Sequence, residues 1–241
     1  MAPSRKLIIR LFLPLLSFVP ICHAGTYYRT VIHRPSGTAT VDAWSDGQKA
    51  KFQVVESDDP TMPVDWKIVT SGTSNLALTK PSGDCVQISR DRYEELMRKR
   101  IGLKPVGGVK LEKLLEEDGG TIAGFPARHF RFRISLNFQA QDAAAASQQF
   151  GIEEDLWVAP SIPQPPPVLN MMFTQTTGFD EVDKVMQFAD IKGFRLKRTV
   201  VITLNGEYQG QSAIEVKQLR EESLPPSIFA LPANCSPLQM Q

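Results

Sequence analysis

Phe130-Arg131-Phe132-Arg133-Ile134-Ser135-Leu136-Asn137-Phe138 decides the fold. Phe130, Phe132, Ile134, Leu136 and Phe138 fall on one side of an extended chain. His129, Arg131, Arg133, Ser135, Asn137 and Gln139 fall on the other. Alternation with period two over this length means a strand with one dry face and one wet face. A parallel strand buried on both faces does not carry those arginines, so the sheet is antiparallel.

Upstream, Ile122-Ala123-Gly124-Phe125-Pro126 is a turn that opens this strand. Before it, Val106 to Glu117 fits either a strand or a short helix, ended by Gly119-Gly120. The run Glu116-Glu117-Asp118 reads as a solvated loop rather than a metal site. Arg92 to Ile101 reads as a helix with the stripe Tyr93, Leu96, Met97 and Ile101, capped by Asp91 and stopped by Gly102. Ahead of that helix lies a meander: Thr26–His33, Thr38–Trp44, a return strand, Trp66–Thr70, Asn75–Thr79 and Cys85–Ser89. Ser45-Asp46-Gly47-Gln48 is its hairpin signal. Ala50, Phe52 and Val54 share one face of the return strand.

Downstream, Gln141 to Gln149 is an Ala- and Gln-rich excursion, and Ile152 to Ala159 is a strand with Trp157 opposite Leu156 and Val158. Pro160 to Pro167 is a stiff, proline-rich connector. The apolar patch Val168, Leu169, Met171, Met172 and Phe173 follows it. A second helix spans about Phe179 to Asp190, with Val182, Val185, Met186 and Ala189 as its stripe and Thr177 with Asp180 as a capping box. Then come a strand from Phe194 to Leu204, the Asn205-Gly206 hairpin and a partner from Glu207 to Leu219. In the first of these, Leu196, Val200, Ile202 and Leu204 alternate with Arg195, Lys197, Thr199 and Thr203. Leu224 to Leu231 is a closing segment whose Ile228, Phe229 and Leu231 pack on the sheet. The fold class is therefore mainly β (α+β).

The first 24 residues read as a secretory signal peptide, leaving residues 25–241 as one domain. Arg5, Lys6 and Arg10 precede an apolar run from Leu11 to Ile21, and Ala24 stands before Gly25 as the cleavage point. The run is short of the roughly 20 residues a membrane anchor needs. Lipid modification of Cys22 is disfavoured by the bulk of Ile21. Residues 25–241 carry 24 basic and 26 acidic side chains, a formal charge of −2. That leaves no footprint for nucleic acid, and no later segment is apolar enough for a transmembrane span. Export makes the periplasm the expected location. It also makes Cys85 and Cys235 an even pair, either bridged or separately buried.

Catalytic chemistry has little support. His33 and His129 belong to no metal-ligand spacing, and His129 reads as a solvated or hydrogen-bonded side chain on the wet face. There is no nucleophile elbow and no phosphate loop. The expectation is no enzyme, no catalytic residue, no metal and no cofactor. Binding has more support. A continuous apolar face has to be covered, and two short helices cover only part of it. Phe52, Phe130, Phe132, Ile134, Leu136, Leu196 and Val200 are the expected lining of an apolar groove, with Met171, Met172, Phe173 and Met186 as an adaptable lid. A filled core with the methionines as gap fillers is the other reading.

The turn Ile122–Pro126 with Arg128-His129-Phe130, the stretch Gly193-Phe194-Arg195-Leu196-Lys197 and the tail Leu224-Pro225-Pro226-Ser227-Ile228-Phe229-Ala230-Leu231-Pro232 resemble a family of uncharacterised bacterial periplasmic proteins. That family is related to the outer-membrane lipoprotein carriers LolA and LolB. The resemblance spans most of residues 26–233. It implies an unclosed β-barrel, a curved antiparallel sheet with two short helices on its concave side. It also implies lipid or lipoprotein handling in the cell envelope, with carriers, lipid binders and a sensor that restrains an anti-sigma factor among the relatives. The proline-rich segment and the Ala/Gln-rich excursion depart from a minimal carrier. The expected function is a periplasmic binding protein for a lipid or acylated ligand. The alternative is an envelope interaction or stress-sensing protein with a filled core, using the surface near Trp157 and Pro165-Pro166-Pro167 to hold a protein partner.

Overall fold

The computed structural model describes residues 23–71, 75–101, 103–140, 147–163, 180–186, 188 and 190–237. Six strands come first: β1 (His23–Arg34), β2 (Gly37–Ser45), β3 (Lys49–Ser57), β4 (Lys67–Ser71), β5 (Asn75–Thr79) and β6 (Cys85–Ser89). Helix α1 (Arg90–Ile101) leads to β7 (Leu103–Ile122), β8 (Phe125–Ala140) and β9 (Gln148–Ala159). Helix α2 (Asp180–Met186), β10 (Phe194–Leu204), β11 (Glu207–Leu224), a 3-10 turn (Pro226–Phe229) and β12 (Ser236–Pro237) complete the chain. The fold is mainly β, one large curved and unclosed sheet.

Its order is β12-β6-β5-β4-β3-β2-β1-β11-β10-β9-β8-β7. Two meanders meet at its centre, where β1 pairs antiparallel with β11 from His23↔Leu224 to His33↔Ala213. Every pairing is antiparallel except β12 with β6. The hairpin signals act as read. Asn205 (φ 50°) and Gly206 (φ 85°) are both left-handed, as a type I′ turn requires.

Several elements differ from the expectation. Helix α1 is capped by Ser89, whose Oγ accepts from the Arg92 N–H at 3.3 Å; Asp91 sits inside the first turn, near the positive end of the helix dipole. The segment before the β8 turn is a strand, and it runs through Gly119-Gly120 to Ile122 with an irregular register between Asp118 and Thr121. A Cβ at Gly119 would lie 2.8 Å from Trp157 Cδ1 and 3.0 Å from the His129 nitrogen, so this glycine is a close-packing site and not a strand end. Glu116, Glu117 and Asp118 accordingly lie in β7 rather than in a loop. Strand β11 extends past Leu219 to Leu224 because β1 continues to pair with it. Residues 141–146 and 164–179, which hold most of the Ala/Gln-rich excursion, Pro165–Pro167, Thr177 and the Met171-Met172-Phe173 patch, lie outside the described residues, as does Ala189.

Two buried clusters share the apolar side of the sheet. One joins Tyr28, Ile32, Val41, Ala43, Ala50, Phe52, Val54 and Met62 to Ala127, Ala159, Phe194 and Leu196. The other lies over β8–β10 and includes Val182 and Met186 of α2. On the opposite side, Phe229 of the 3-10 turn packs with Val69, Leu224 and the partly buried Trp44 and Ile228. Leu231, expected to pack there too, is 41% exposed. The chain thus leaves β11, crosses β3 and β4 and reaches the far edge of the sheet. There Cys235 is bridged to Cys85, with the Cα atoms 4.4 Å apart and 150 residues between them in sequence. Beside this strap, Asp42 accepts from Arg29 Nε at 2.7 Å and from the Tyr27 hydroxyl at 2.9 Å. Burial alone raises the Asp42 carboxyl, but the bonds from Arg29 and Tyr27 outweigh it and hold the group below the usual carboxylate range.

Cutting the bridge with Cys85→Ser is expected to lower stability by roughly 2–5 kcal/mol, because a long loop regains its entropy in the unfolded chain. A urea midpoint within error of the wild type excludes that role. Acid acts through Asp42. Its contribution is intact above the unfolded carboxylate value of about 4 and is lost as pH falls through the lower folded value. Asp42→Asn should therefore flatten the acid limb of the stability curve, as read by thermal unfolding across pH.

Candidate functional site

The structure places the expected groove residues in the two clusters rather than around one groove. Phe132, Ile134, Leu136, Val200 and Met186 lie in the cluster over β8–β10, with Phe130 packed against its rim. Phe52 and Leu196 belong to the other cluster, with Tyr28 and Phe194. Met171, Met172 and Phe173 lie outside the described residues. The gaps expected between the phenylalanines are filled. Phe132 stacks on Phe188 at a centroid distance of 4.5 Å, and Phe138 meets Phe150 edge-on at 5.4 Å. Above them, α2 buries Val182 and Met186, while Val185 is half-buried. Seven residues of helix make only about two turns, and three apolar positions at this spacing put the stripe against the sheet.

One ion pair breaks the apolar side. Glu154 shares the parity of Ile152, Leu156 and Val158, and Arg198 shares that of Leu196 and Val200. Arg198 Nε donates to Glu154 Oε1 at 2.7 Å and Arg198 Nη2 to Oε2 at 2.9 Å, a two-bond fork. Glu154 is 0% and Arg198 2% exposed. Removing such a pair from water costs several kcal/mol per ion, so it is weak as a source of stability. Arg195 is also buried, at 3% exposure. Desolvation, followed by the charge of Arg198, lowers its guanidinium to about 10, with Glu154 acting in the opposite sense. The expectation set Arg195 on the wet face with Lys197. A bulge between Arg195 and Lys197 instead lays Arg195 opposite Val158. The sequence signal for Glu154 and Arg198 was available: each is a charge at an apolar parity position.

The other side of the sheet carries a polar brace. His129 is 7% exposed, hydrogen-bonded rather than solvated. Its Nδ1 lies 3.0 Å from Glu117 Oε1 and its Nε2 2.7 Å from Asp155 Oδ1, and its ring stacks on Trp157 at 4.2 Å. Arg131 Nε donates to the same Asp155 oxygen at 2.8 Å, and Lys197 Nζ sits 4.8 Å from the Trp157 ring centre. These contacts stitch β7, β8, β9 and β10 together. With both nitrogens engaged and the ring covered, His129 is placed as a structural tie. Trp157, the expected docking residue, spends one ring face on His129.

Two open clefts lie elsewhere. One of about 410 Å³ is lined by Asp118, Pro126, Ala127, Arg128 and Pro160. The other, about 340 Å³, runs past His33, Arg34, Pro35 and Tyr208. Neither reaches the expected groove residues. Among the described residues no group of three or more His, Cys, Asp or Glu could hold a metal ion, and no helix is long and apolar enough to cross a membrane.

No family model matches the chain, and no curated protein matches it. Among solved structures it is similar to an uncharacterised conserved protein from Thermus thermophilus, at 6% identity, with 91% of each chain covered and a TM-score of 0.41. A likeness that loose carries no functional argument.

The ion pair yields a test of its own. Arg198→Met strips a fully buried carboxylate of its two-bond fork and should cost about 3–5 kcal/mol, whereas Glu154→Met with Arg198→Met should fall within about 1 kcal/mol of wild type or above it. Denaturant unfolding of the three proteins checks the order. A double variant as unstable as the single one shows that the fold itself requires the pair.

Proposed function

We propose that the protein is a non-catalytic binding protein of the bacterial cell envelope, exported by its signal peptide to the periplasm, for a lipid or acylated ligand. The sheet acts as an unclosed half-barrel, and its concave apolar side over β8–β10 takes the acyl chain when α2 lifts. Cleavage after Ala24 removes the first two residues of β1, His23 and Ala24, and leaves Gly25 against Leu224. No cofactor takes part.

The observation that carries this reading is how little of the described chain covers the face. Val182 and Met186 of the seven-residue helix and the adjoining Phe188 are the buried side chains contributed there by the α2 segment. At about 1.5–3 kcal/mol each, three such side chains hold the cover with roughly 5–9 kcal/mol of apolar burial. An acyl chain of about 14 methylenes brings roughly 11 kcal/mol at about 0.8 per CH₂. The exchange favours the ligand by only a little before the cost of association is met. Binding is therefore reversible, as handing on a lipid requires. The resemblance to lipoprotein carriers and the export signal point the same way. A second reading rests on the near-complete burial of Ile134, Leu156 and Leu196: a filled core that never opens, in an envelope protein that works through its surface.

Residues 25–241, purified without detergent, should release lipid on organic extraction, read by mass spectrometry, and should bind a fluorescent hexadecanoyl probe. Val182→Ala with Met186→Ala weakens the grip of the cover and should tighten probe binding severalfold. Affinity unchanged by that pair shows that α2 is not the element displaced. Neither lipid nor probe binding in any variant decides for the filled core.

A further inference from the structure

The strap that follows β11 is fastened to the sheet at few points. It runs from Pro225 to Pro237 over the polar side of β3 and β4. Phe229 is buried; Ile228, Pro232 and Cys235 are half-buried, and the other residues are exposed. Ahead of β12 its backbone hydrogen bonds are local, from the N–H groups of Ile228, Ala230 and Cys235 to the carbonyls of Pro225, Ser227 and Pro232. Among the described residues, Phe229 ties it to the sheet by packing on Val69, Leu224 and Trp44. Asn234 Nδ2 donates to the Gly83 carbonyl at 3.1 Å. At the far edge, Ser236 and Pro237 of β12 pair with Val86 and Gln87 of β6. Pro237 has no N–H to give that ladder. The remaining tie is the bridge from Cys235 to Cys85. Ordering the whole strap costs backbone entropy at every residue. One phenylalanine, one side-chain bond and a ladder this short do not offset that cost, so the covalent link decides whether the strap stays down.

The two halves of the bridge differ. Cys85 is 4% exposed, whereas Cys235 is half-buried among exposed neighbours. Thr79 Oγ1 donates to Cys85 Sγ at 3.5 Å. A thiolate arriving from solvent therefore meets Cys235 first. Cys85 is then the sulfur that leaves, with a hydroxyl aimed at the charge it takes on, and a stabilised leaving thiolate departs faster. We infer that the Cys85–Cys235 bridge is a redox latch: reduction by a dithiol frees Pro225–Pro237 from the sheet and uncovers Val69 and Trp44. In this exchange a thiolate of the dithiol attacks Cys235 Sγ, the disulfide bond breaks, and Cys85 leaves as a thiolate and takes up a proton. The second thiol of the reductant, as its thiolate, attacks the mixed disulfide and releases Cys235, which is protonated in turn. The bridge gains two electrons and two protons and becomes two thiols; the dithiol loses the same and becomes a disulfide. The sheet survives the opening, because β12 is its last strand and no other strand pairs through the strap. What the opening exposes is an apolar patch on the polar side, away from the face proposed for the acyl chain. The latch is independent of that proposal.

Hydrogen exchange read by mass spectrometry tests it on the intact mature chain, in native buffer with and without dithiothreitol. Alkylation of free thiols in parallel samples counts the opened bridges. In the reduced protein the strap amides should exchange at least about tenfold faster, while β1–β3 and β8–β10 change by less than about twofold. Cys235→Ser should show the same pattern with no reductant present. Thr79→Val should slow bridge opening by about threefold or more and leave the exchange pattern of the oxidised protein as in wild type. A strap that stays protected in protein with both thiols free overturns the latch. Loss of protection across the whole sheet at once overturns it too, because the bridge is then a staple of the entire fold. An opening rate unchanged in Thr79→Val overturns the assignment of Cys85 as the leaving sulfur.

Discussion

A lone sheet with one dry face has to find its own cover, and the rest of the structure follows from that. Among the described residues only α1, α2 and a 3-10 turn are helical elements off the sheet. The sheet therefore supplies its second layer by bending. Tyr28, Val41, Phe52 and Val54 of β1–β3 pack in one cluster with Ala127 of β8, Ala159 of β9 and Phe194 of β10, and with the partly buried Ile122 and Phe125 of the β7–β8 turn. In the strand order, β3 and β8 are six positions apart. Apolar burial at about 25 cal/mol per Å² is what draws those strands towards each other.

Bending needs places where the ladder gives. The register shifts between Arg29 and Thr30, Thr40 and Val41, Arg195 and Lys197, and Ile202 and Thr203, and three times along β7. Each bulge adds twist and bends the bulged strand. The polar side follows the same curve with pairs that span adjacent strands. His129 on Trp157, Arg131 on Asp155, Arg133 on Glu153 and Arg29 on Asp42 tie neighbours without filling a core. The exposed pair among them, Arg133 with Glu153, contributes little. The buried His129 tie and the covalent strap from Cys235 to Cys85 hold the two ends of the sheet more firmly.

The charged trio stands apart from this logic. Every other described side chain buried on the dry side of β8–β10 is apolar, whereas Glu154, Arg195 and Arg198 cost solvation where leucine would serve packing better.

Period-two alternation determined the sheet from the sequence alone. Phe130 to Phe138, the Asp46-Gly47 and Asn205-Gly206 turns and the short strands before α1 all lie where the pattern put them, because strand parity and turn geometry are local properties. The apolar positions of the dry face were readable for the same reason. Tertiary structure decided what parity cannot see. A single extra residue in β10 moves Arg195 from the wet side to the dry one, since a slip of one position moves a side chain to the other face. Pairing with β1 fixes the length of β11, and partners distant in sequence, Glu117, Asp155 and Trp157, bury His129 on the polar side. Whether Cys85 and Cys235 could meet depended on the path of the strap across the sheet. Only the bend brings β3 to β8, because the hydrophobic contact that drives it links strands with no local signal in common.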